Sequence, residues 1–400
     1  MIKILLRCVV TMSLFFAVCI AQPAGASISS ITAETSPNVG VNANLIQSVS
    51  CVSARSCIAV GSFYNGSTYQ SLTMKWDGTN WTLLNTPNQG SGSNQLRSVS
   101  CSSTTSCIAV GSFYNGTTYR TLVMAWDGTS WTILGSPNQG SFTNSLTSIS
   151  CVSPTSCLAV GLYDNNSANQ PQVMSWDGVA WSIVNSPNPG SAGANLSSVS
   201  CISSTACTIV GYYEVGPINQ TLVMTWNGTG VTLASSPNVG ADSNMLTSVS
   251  CSSTVQCFAV GIYAGNSSSE TLTMVWDGAT WVVVTSPNPG SPGTYLQSIS
   301  CISSSFCVAT GSFSNSSINE ALVMEWDGTS WSVLATPNLG SPNTSLRSVA
   351  CVTDYTCHAG GLHSANSTVQ SLMVSLSGAV PPTPTDPTLP DSPAVPTFTG

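Results

Sequence analysis

The residues most able to do chemistry in this chain are its cysteines. Of sixteen, fourteen form pairs six positions apart: Cys51 and Cys57, Cys101 and Cys107, Cys151 and Cys157, Cys201 and Cys207, Cys251 and Cys257, Cys301 and Cys307, Cys351 and Cys357. The period is 50 residues and does not slip over seven copies. A C-x5-C spacing across a turn brings two strands of one hairpin within disulfide reach. Zinc would need four ligands, whereas each copy offers two sulfurs, and histidines (His358, His363) occur only in the seventh. Seven structural disulfides are therefore expected, each worth roughly 2 kcal/mol through the unfolded chain. Such a set belongs to an oxidising compartment. No metal and no cofactor is implied.

Acids and bases give a weaker chemical signal. Asp77, Asp127, Asp177, Asp277 and Asp327 each follow a Trp and precede a Gly, with a second Trp closing the motif. The fourth copy has Asn227 and Val231, and the seventh has Leu376 and Ser377. A carboxylate there can accept backbone N–H groups in an Asx turn, and the glycine permits positive φ. What recurs in nearly every copy is scaffold. The irregular acids Asp164, Glu214, Asp242, Glu270 and Glu320 are scattered among different copies. Two-carboxylate glycoside hydrolysis needs two acids in one pocket. A Ser-His-Asp set has no support from two histidines in the last copy. No catalytic residue is assigned, and the balance favours a binding module over an enzyme.

Candidate ligand contacts come from the columns that vary. The start of each copy's first strand carries Gln47, Arg97, Thr147, Ser197, Thr247, Gln297 or Arg347. If the copies close into a ring, the seventh, first and second are neighbours. Arg347, Gln47 and Arg97 then meet near the mouth of a central channel, where a polar or anionic ligand would fit. The loops joining second and third strands carry Tyr64, Tyr114, Tyr163, Tyr213 and Tyr263 among Ser and Asn. Aromatic faces of this kind stack on sugars or peptides.

The elements that must position these residues are short strands. In the second copy, residues 96–101 alternate, 107–114 and 121–126 are rich in β-formers, Asp127-Gly128-Thr129 is a turn, and 131–134 form a fourth strand. Four strands repeated at this period are the pattern of a propeller blade. The seventh copy has only three strands, at 346–351, 357–363 and 371–376. The missing one stands at the other end. Residues 28–35 precede Ser36-Pro37-Asn38 and Gly40, as the second copy's fourth strand precedes Ser136-Pro137-Asn138 and Gly140. The expected fold is all-β: a seven-bladed β-propeller with four strands and one disulfide per blade, its N-terminal strand closing the last blade. Closure removes exposed sheet edges.

The W-D-G-T-x-W turn, as in Trp126-Asp127-Gly128-Thr129-Ser130-Trp131, resembles the Asp-box repeats of sialidase-like propellers. The Asp-box has one more residue between Asp and Gly. In strand order the copies also resemble kelch-type blades, and together they look like secreted bacterial β-propeller repeat proteins. The resemblance spans residues 28–378 and implies fold rather than activity.

The flanks read differently. Lys3 and Arg7, an apolar run over 8–20 and Ala24-Gly25-Ala26 make residues 1–26 a signal peptide. The run is too short to span a bilayer. Residues 27–379 are the propeller, and 380–400 form a Pro/Thr-rich tail of the disordered type. Charged residues are 6% of the chain and the net charge is −8, which argues against nucleic acid. The expectation is a secreted monomer (extracellular, periplasmic or at the cell surface) that binds an extracellular glycan or protein. The alternative is a divergent glycan-active enzyme, a glycosidase or lyase of the sialidase-like type.

Overall fold

The computed structural model describes residues 27–378 except 191, 266–267, 291–292, 316–317, 337–342 and 366–367. The expected signal peptide (1–26) and tail (380–400) lie outside the described residues. The described residues form twenty-eight strands, numbered β1 to β28 in chain order, and no helix. They make seven four-stranded antiparallel sheets. Blade 1 holds β2 (Asn44–Ser53), β3 (Ser56–Tyr64), β4 (Tyr69–Trp76) and β5 (Trp81–Leu83). The next five blades repeat this order. Blade 7 holds β26 (Ser345–Thr353), β27 (Thr356–Ala365) and β28 (Thr368–Gly378), and its outer strand is β1 (Ile28–Glu34). The N-terminal strand thus pairs antiparallel with β28, Ile31 opposite Leu376 and Glu34 opposite Met373.

The core lies between blades, not inside them. Central strands are packed on both faces, so they read as near-continuous apolar runs, such as Cys107-Ile108-Ala109-Val110. The methionines of the third strands, Met74, Met124, Met174, Met224, Met274 and Met324, are fully buried in these layers. Met124, for example, packs in a cluster with Ile58 and Val60 of the preceding blade.

The first strands of neighbouring blades stand side by side around the central axis and are tied by serines. Val99 donates its backbone N–H to Ser48 Oγ, and the same bond recurs at every junction, including Val49 to Ser348 where the ring closes. A second row runs from Cys101 to Ser50 and onward to Cys351 and Ser300. It has six members, because the seventh copy carries Ala350 in place of the serine.

All seven expected disulfides are present, each closing the β-turn between first and second strands. Seven disulfides mark a protein that matures in an oxidising, non-cytosolic compartment. No helix among the described residues is long and apolar enough to cross a membrane.

The aspartates hold turns, as their recurrence predicts. Asp127 Oδ1 accepts the N–H groups of Thr129 and Ser130, and Gly128 takes φ 100°. Asn227 does the same for Thr229 and Gly230 in blade 4.

Candidate functional site: the mouth of the central channel

A β-bulge builds the site. In every blade the register between first and second strands shifts by one residue near the channel mouth. In blade 2, Leu96 pairs with Gly111 and Ser98 with Val110, which leaves Arg97 unpaired. Gln47 and Arg347 are the corresponding extra residues in blades 1 and 7. A bulge re-aims its side chain and is a common device beside functional sites. The facing glycine is required by it: a Cβ on Gly111 would lie 1.9 Å from the Gln95 carbonyl oxygen. The column that varies most in chemistry is therefore the column whose side chains the ladder leaves free.

These side chains reach along the ring to the next blade. Thr147 Oγ1 donates to the Leu196 carbonyl at 2.6 Å, and Thr247 repeats this with Leu296. Arg347 Nη1 donates to Gln47 Oε1 at 3.2 Å, from blade 7 to blade 1. Arg347 Nε is buried without a partner. Arg97 is exposed, whereas Arg347 is half-buried. Desolvation pulls both guanidiniums below the usual arginine value, and at Arg347 the charge of Arg97 adds to the effect. An arginine nevertheless stays charged at any physiological pH. The seven inner strands contain no Asp or Glu. Arg347 thus meets Gln47 through a hydrogen bond and lies within electrostatic reach of Arg97, two cations on inner strands without a carboxylate.

The five tyrosines do not form one surface. Tyr64 and Tyr114 end their strands opposite Tyr69 and Tyr119, with ring centroids 5.4 Å apart in each pair. Tyr163, Tyr213 and Tyr263 sit one position earlier, opposite Gln170, Gln220 and Glu270. Successive strand residues point to opposite faces, so the two groups look different ways. The second group shares its register with Phe63, Phe113, Phe313 and His363, and Tyr213 and Tyr263 pack against the inter-blade cores. The Tyr263 hydroxyl donates to Glu270, which pushes its pKa up to about 12. Counting residues from the glycine, rather than collecting tyrosines by loop, separates the two groups in the sequence. Tyr119, which the loop face also includes, lies within electrostatic reach of Arg97.

Further hollows open between blades. On the disulfide-bearing face, one of about 380 Å³ lies between blades 3 and 4, lined by Ser175, Cys201, Thr205 and Trp226. Another of about 250 Å³ lies between blades 4 and 5, lined by Thr225, Trp276 and Trp281. Between blades 1 and 2 the equivalent place is filled, with Lys75 Nζ 5.9 Å from the centre of the Trp126 ring. On the opposite face, a hollow of about 370 Å³ is lined by Asp164, Asn166, Asn169, Ala192 and Glu214.

The architecture defines the class: a closed seven-bladed β-propeller. No protein-family model matches the sequence, and none of the curated proteins matches it. Solved structures match the fold. The structure described as "YCF48 bound to D1 peptide" has a TM-score of 0.56 at 12% identity, over 88% of this chain and 99% of that one. A protein of unknown function from Dyadobacter fermentans has a TM-score of 0.51 at 9% identity, over 89% and 100%. Sqt1 from Chaetomium thermophilum has a TM-score of 0.50 at 12% identity, over 84% and 82%. At these identities the likeness is one of fold.

Proposed function

We propose that the protein is a non-catalytic binding module, exported to the periplasm, the cell surface or the medium, that grips an anionic group of a glycan or protein at its channel mouth. One observation carries this: Arg347, hydrogen-bonded to Gln47, lies within electrostatic reach of Arg97, on inner strands that carry no acid. A bound carboxylate would relieve the repulsion and accept hydrogen bonds from both guanidiniums and the Gln47 amide. The rim tyrosines, Tyr64 and Tyr114 with their partners, would flank it. YCF48, which shares the fold, is bound to a D1 peptide, so peptide capture is within the reach of this scaffold.

The test is a glycan array that includes uronate and sialate termini, run beside a peptide library with free and amidated C-termini. Hydrogen bonds to charged groups contribute about 1.5–3 kcal/mol each. Arg97→Ala with Arg347→Ala should therefore weaken the best ligand by roughly 10-fold to 100-fold or more, and the wild-type affinity should fall as salt rises. An unchanged binding profile in the double variant defeats the proposal.

A second reading, glycan hydrolysis, has the Asp164–Glu214 hollow in its favour. Asp164 is partly committed elsewhere, since its Oδ1 accepts the Asn166 N–H at 2.7 Å. Turnover in a glycan hydrolysis screen that disappears in Asp164→Asn and Glu214→Gln would favour the enzyme.

A further inference from the structure

Among the described residues, Glu325 is the one buried carboxylate, and its neighbours do not explain its charge. It lies on β24 (Ile318–Trp326) of blade 6 and is only 5% exposed. The equivalent residues are Lys75, Ala125, Ser175, Thr225, Val275 and Ser375, none of them acidic. Desolvation pushes its pKa up, with the charge of Asp327 adding to the effect, while hydrogen bonds from Ile28 and Ser27 work in the opposite direction. Among the described residues the only ion-pair contact is His358 to Glu34, so no Lys, Arg or His neutralises Glu325.

What does reach Glu325 is the first of the described residues. The Ile28 backbone N–H donates to Glu325 Oε2 at 2.8 Å, and the Ser27 side chain adds a hydrogen bond. The seat is shaped for this segment. Ile28 is buried and packs in one cluster with Phe306 and Val308 of blade 6. Phe306 replaces the Ser, Ala, Gln or Thr of the other copies. Leu376 and Ile31 stand where five blades have a Trp pair and blade 4 has Trp226 and Val231, which makes room. A Cβ on Gly378 would lie 2.2 Å from the Ser27 carbonyl oxygen, so Ser27 is held against backbone that admits only glycine.

We propose that Glu325 is the docking site for an α-ammonium group on Ser27, created when the Ala26–Ser27 peptide bond is hydrolysed. Water adds across the C–N bond: Ala26 keeps a carboxylate, and the Ser27 amine takes up a proton at neutral pH. The ammonium stands one residue from the Ile28 bond, where consecutive Cα atoms are about 3.8 Å apart. It supplies the missing cation, and the strand that closes the ring is thereby fastened by a charge that exists only after processing. This rests on the export part of the function proposed above and not on the ligand site, so loss of ligand binding leaves it untouched.

The experiment uses the full chain, produced with its own residues 1–26 in an exporting bacterial host. N-terminal sequencing and intact mass should place the start of the product at Ser27. A product that retains 1–26, or is cut elsewhere, overturns the proposal. A second chain carries Gly-Ser inserted after Ala26, so that processing leaves the amine displaced from its seat. Its Tm should fall by about 2 °C or more, and the fall should vanish when Glu325→Gln is present in both chains. No fall, or an equal fall with Glu325→Gln, overturns the docking. Independently of that variant, native acylation of the Ser27 amine, followed by peptide mass spectrometry, should be at least about tenfold slower than in the displaced chain, as for an amine held in an ion pair with its lone pair protonated. Equal rates overturn it.

Discussion

The six regular blade junctions and the seam where blade 7 meets blade 1 are made from one repeat, but they are packed differently. In the central strands of blades 2, 3 and 4 two valines face each other, as Val110 and Val123 do, and in blades 1, 5 and 6 a valine faces a threonine. At the seam the corresponding pair is Gly360 and Met373. Met373 packs in the blade 1 core with Ile46, Val49 and Trp76. His358 takes a column that elsewhere holds Ile, Leu, Thr, Phe or Val, and it is buried 5.2 Å from Trp76, ring to ring. Glu34 replaces Leu, Val or Ala and accepts the Trp81 indole N–H at 2.6 Å. The indole N–H groups of Trp131, Trp181 and Trp331 are buried without a partner. The seam also lacks one serine tie, at Ala350. A repeat can copy its interfaces only while the chain is continuous. Where a strand from the other end is inserted, the interface is made by compensating substitutions.

The sharpest way to break that comparison is to restore the common residue at the seam. A Cβ on Gly360 would lie 2.6 Å from Ile46 Cγ2 and 2.8 Å from Val49 Cγ2, with Met373 Sδ at 3.4 Å. Gly360→Val should therefore destabilise by about 1–3 kcal/mol through overpacking. Met373→Val alone should also destabilise, by roughly 1 kcal/mol or more, because it leaves a cavity. Together they recreate the valine pair of blades 2, 3 and 4, and the double variant should recover most of the loss. Denaturant unfolding of the four proteins gives the coupling directly. Additive losses would mean that the two substitutions do not compensate each other.

A smaller effect, of opposite sign, comes from completing the serine row. Ala350→Ser places a hydroxyl at the seam where Ser50, Ser100 and the others accept a Cys backbone N–H at the regular junctions. One such bond contributes about 0.5–1.5 kcal/mol. The variant should be more stable than wild type by that order, and Ser300→Ala less stable by a similar amount. A destabilised Ala350→Ser would show that the seam strands stand too far apart, or too close, for the tie.

The fold was legible because its signals repeat. The cysteine period gave the blade count, and the strand pattern at 28–35, matching the fourth strand that the seventh copy's pattern lacks, gave the closure. The Arg347–Gln47–Arg97 cluster was legible for a related reason: once the ring is closed, a column difference becomes a neighbourhood. What escaped was anything that needed two columns read together. Gly360 and Met373 each look like drift until they are seen to face each other. The tyrosines escaped for lack of a register, since a shift of one residue turns a side chain to the other face. Glu325 escaped because its partner lies 297 positions away in sequence, and only the folded ring brings Ile28 to it.

The smallest expected effect separates blade 4 from the other Asp-bearing blades. Side-chain and backbone donors from Thr129 and Ser130 hold Asp127 well below the usual carboxylate value, and backbone N–H groups do the same for Asp77, Asp177 and Asp277. At Asp327 partial burial pushes upward, and the hydrogen bonds outweigh it. A carboxyl whose pKa is depressed by folding stabilises the folded state above its unfolded pKa, near 3.9. That contribution is lost as pH falls through the lower, folded value. Below about pH 4, the turns of blades 1, 2, 3, 5 and 6 should therefore loosen while the Asn227 turn does not. The amide resonances of Thr129 and Ser130 should move with a midpoint below 3.8, while those of Thr229 and Gly230 stay flat. Asp127→Asn should make its own turn behave like that of blade 4, with little change in Tm at pH 7 because the turn is exposed to water. If the blade 4 amides titrate together with the rest, the acid response belongs to the whole ring rather than to its carboxylate turns.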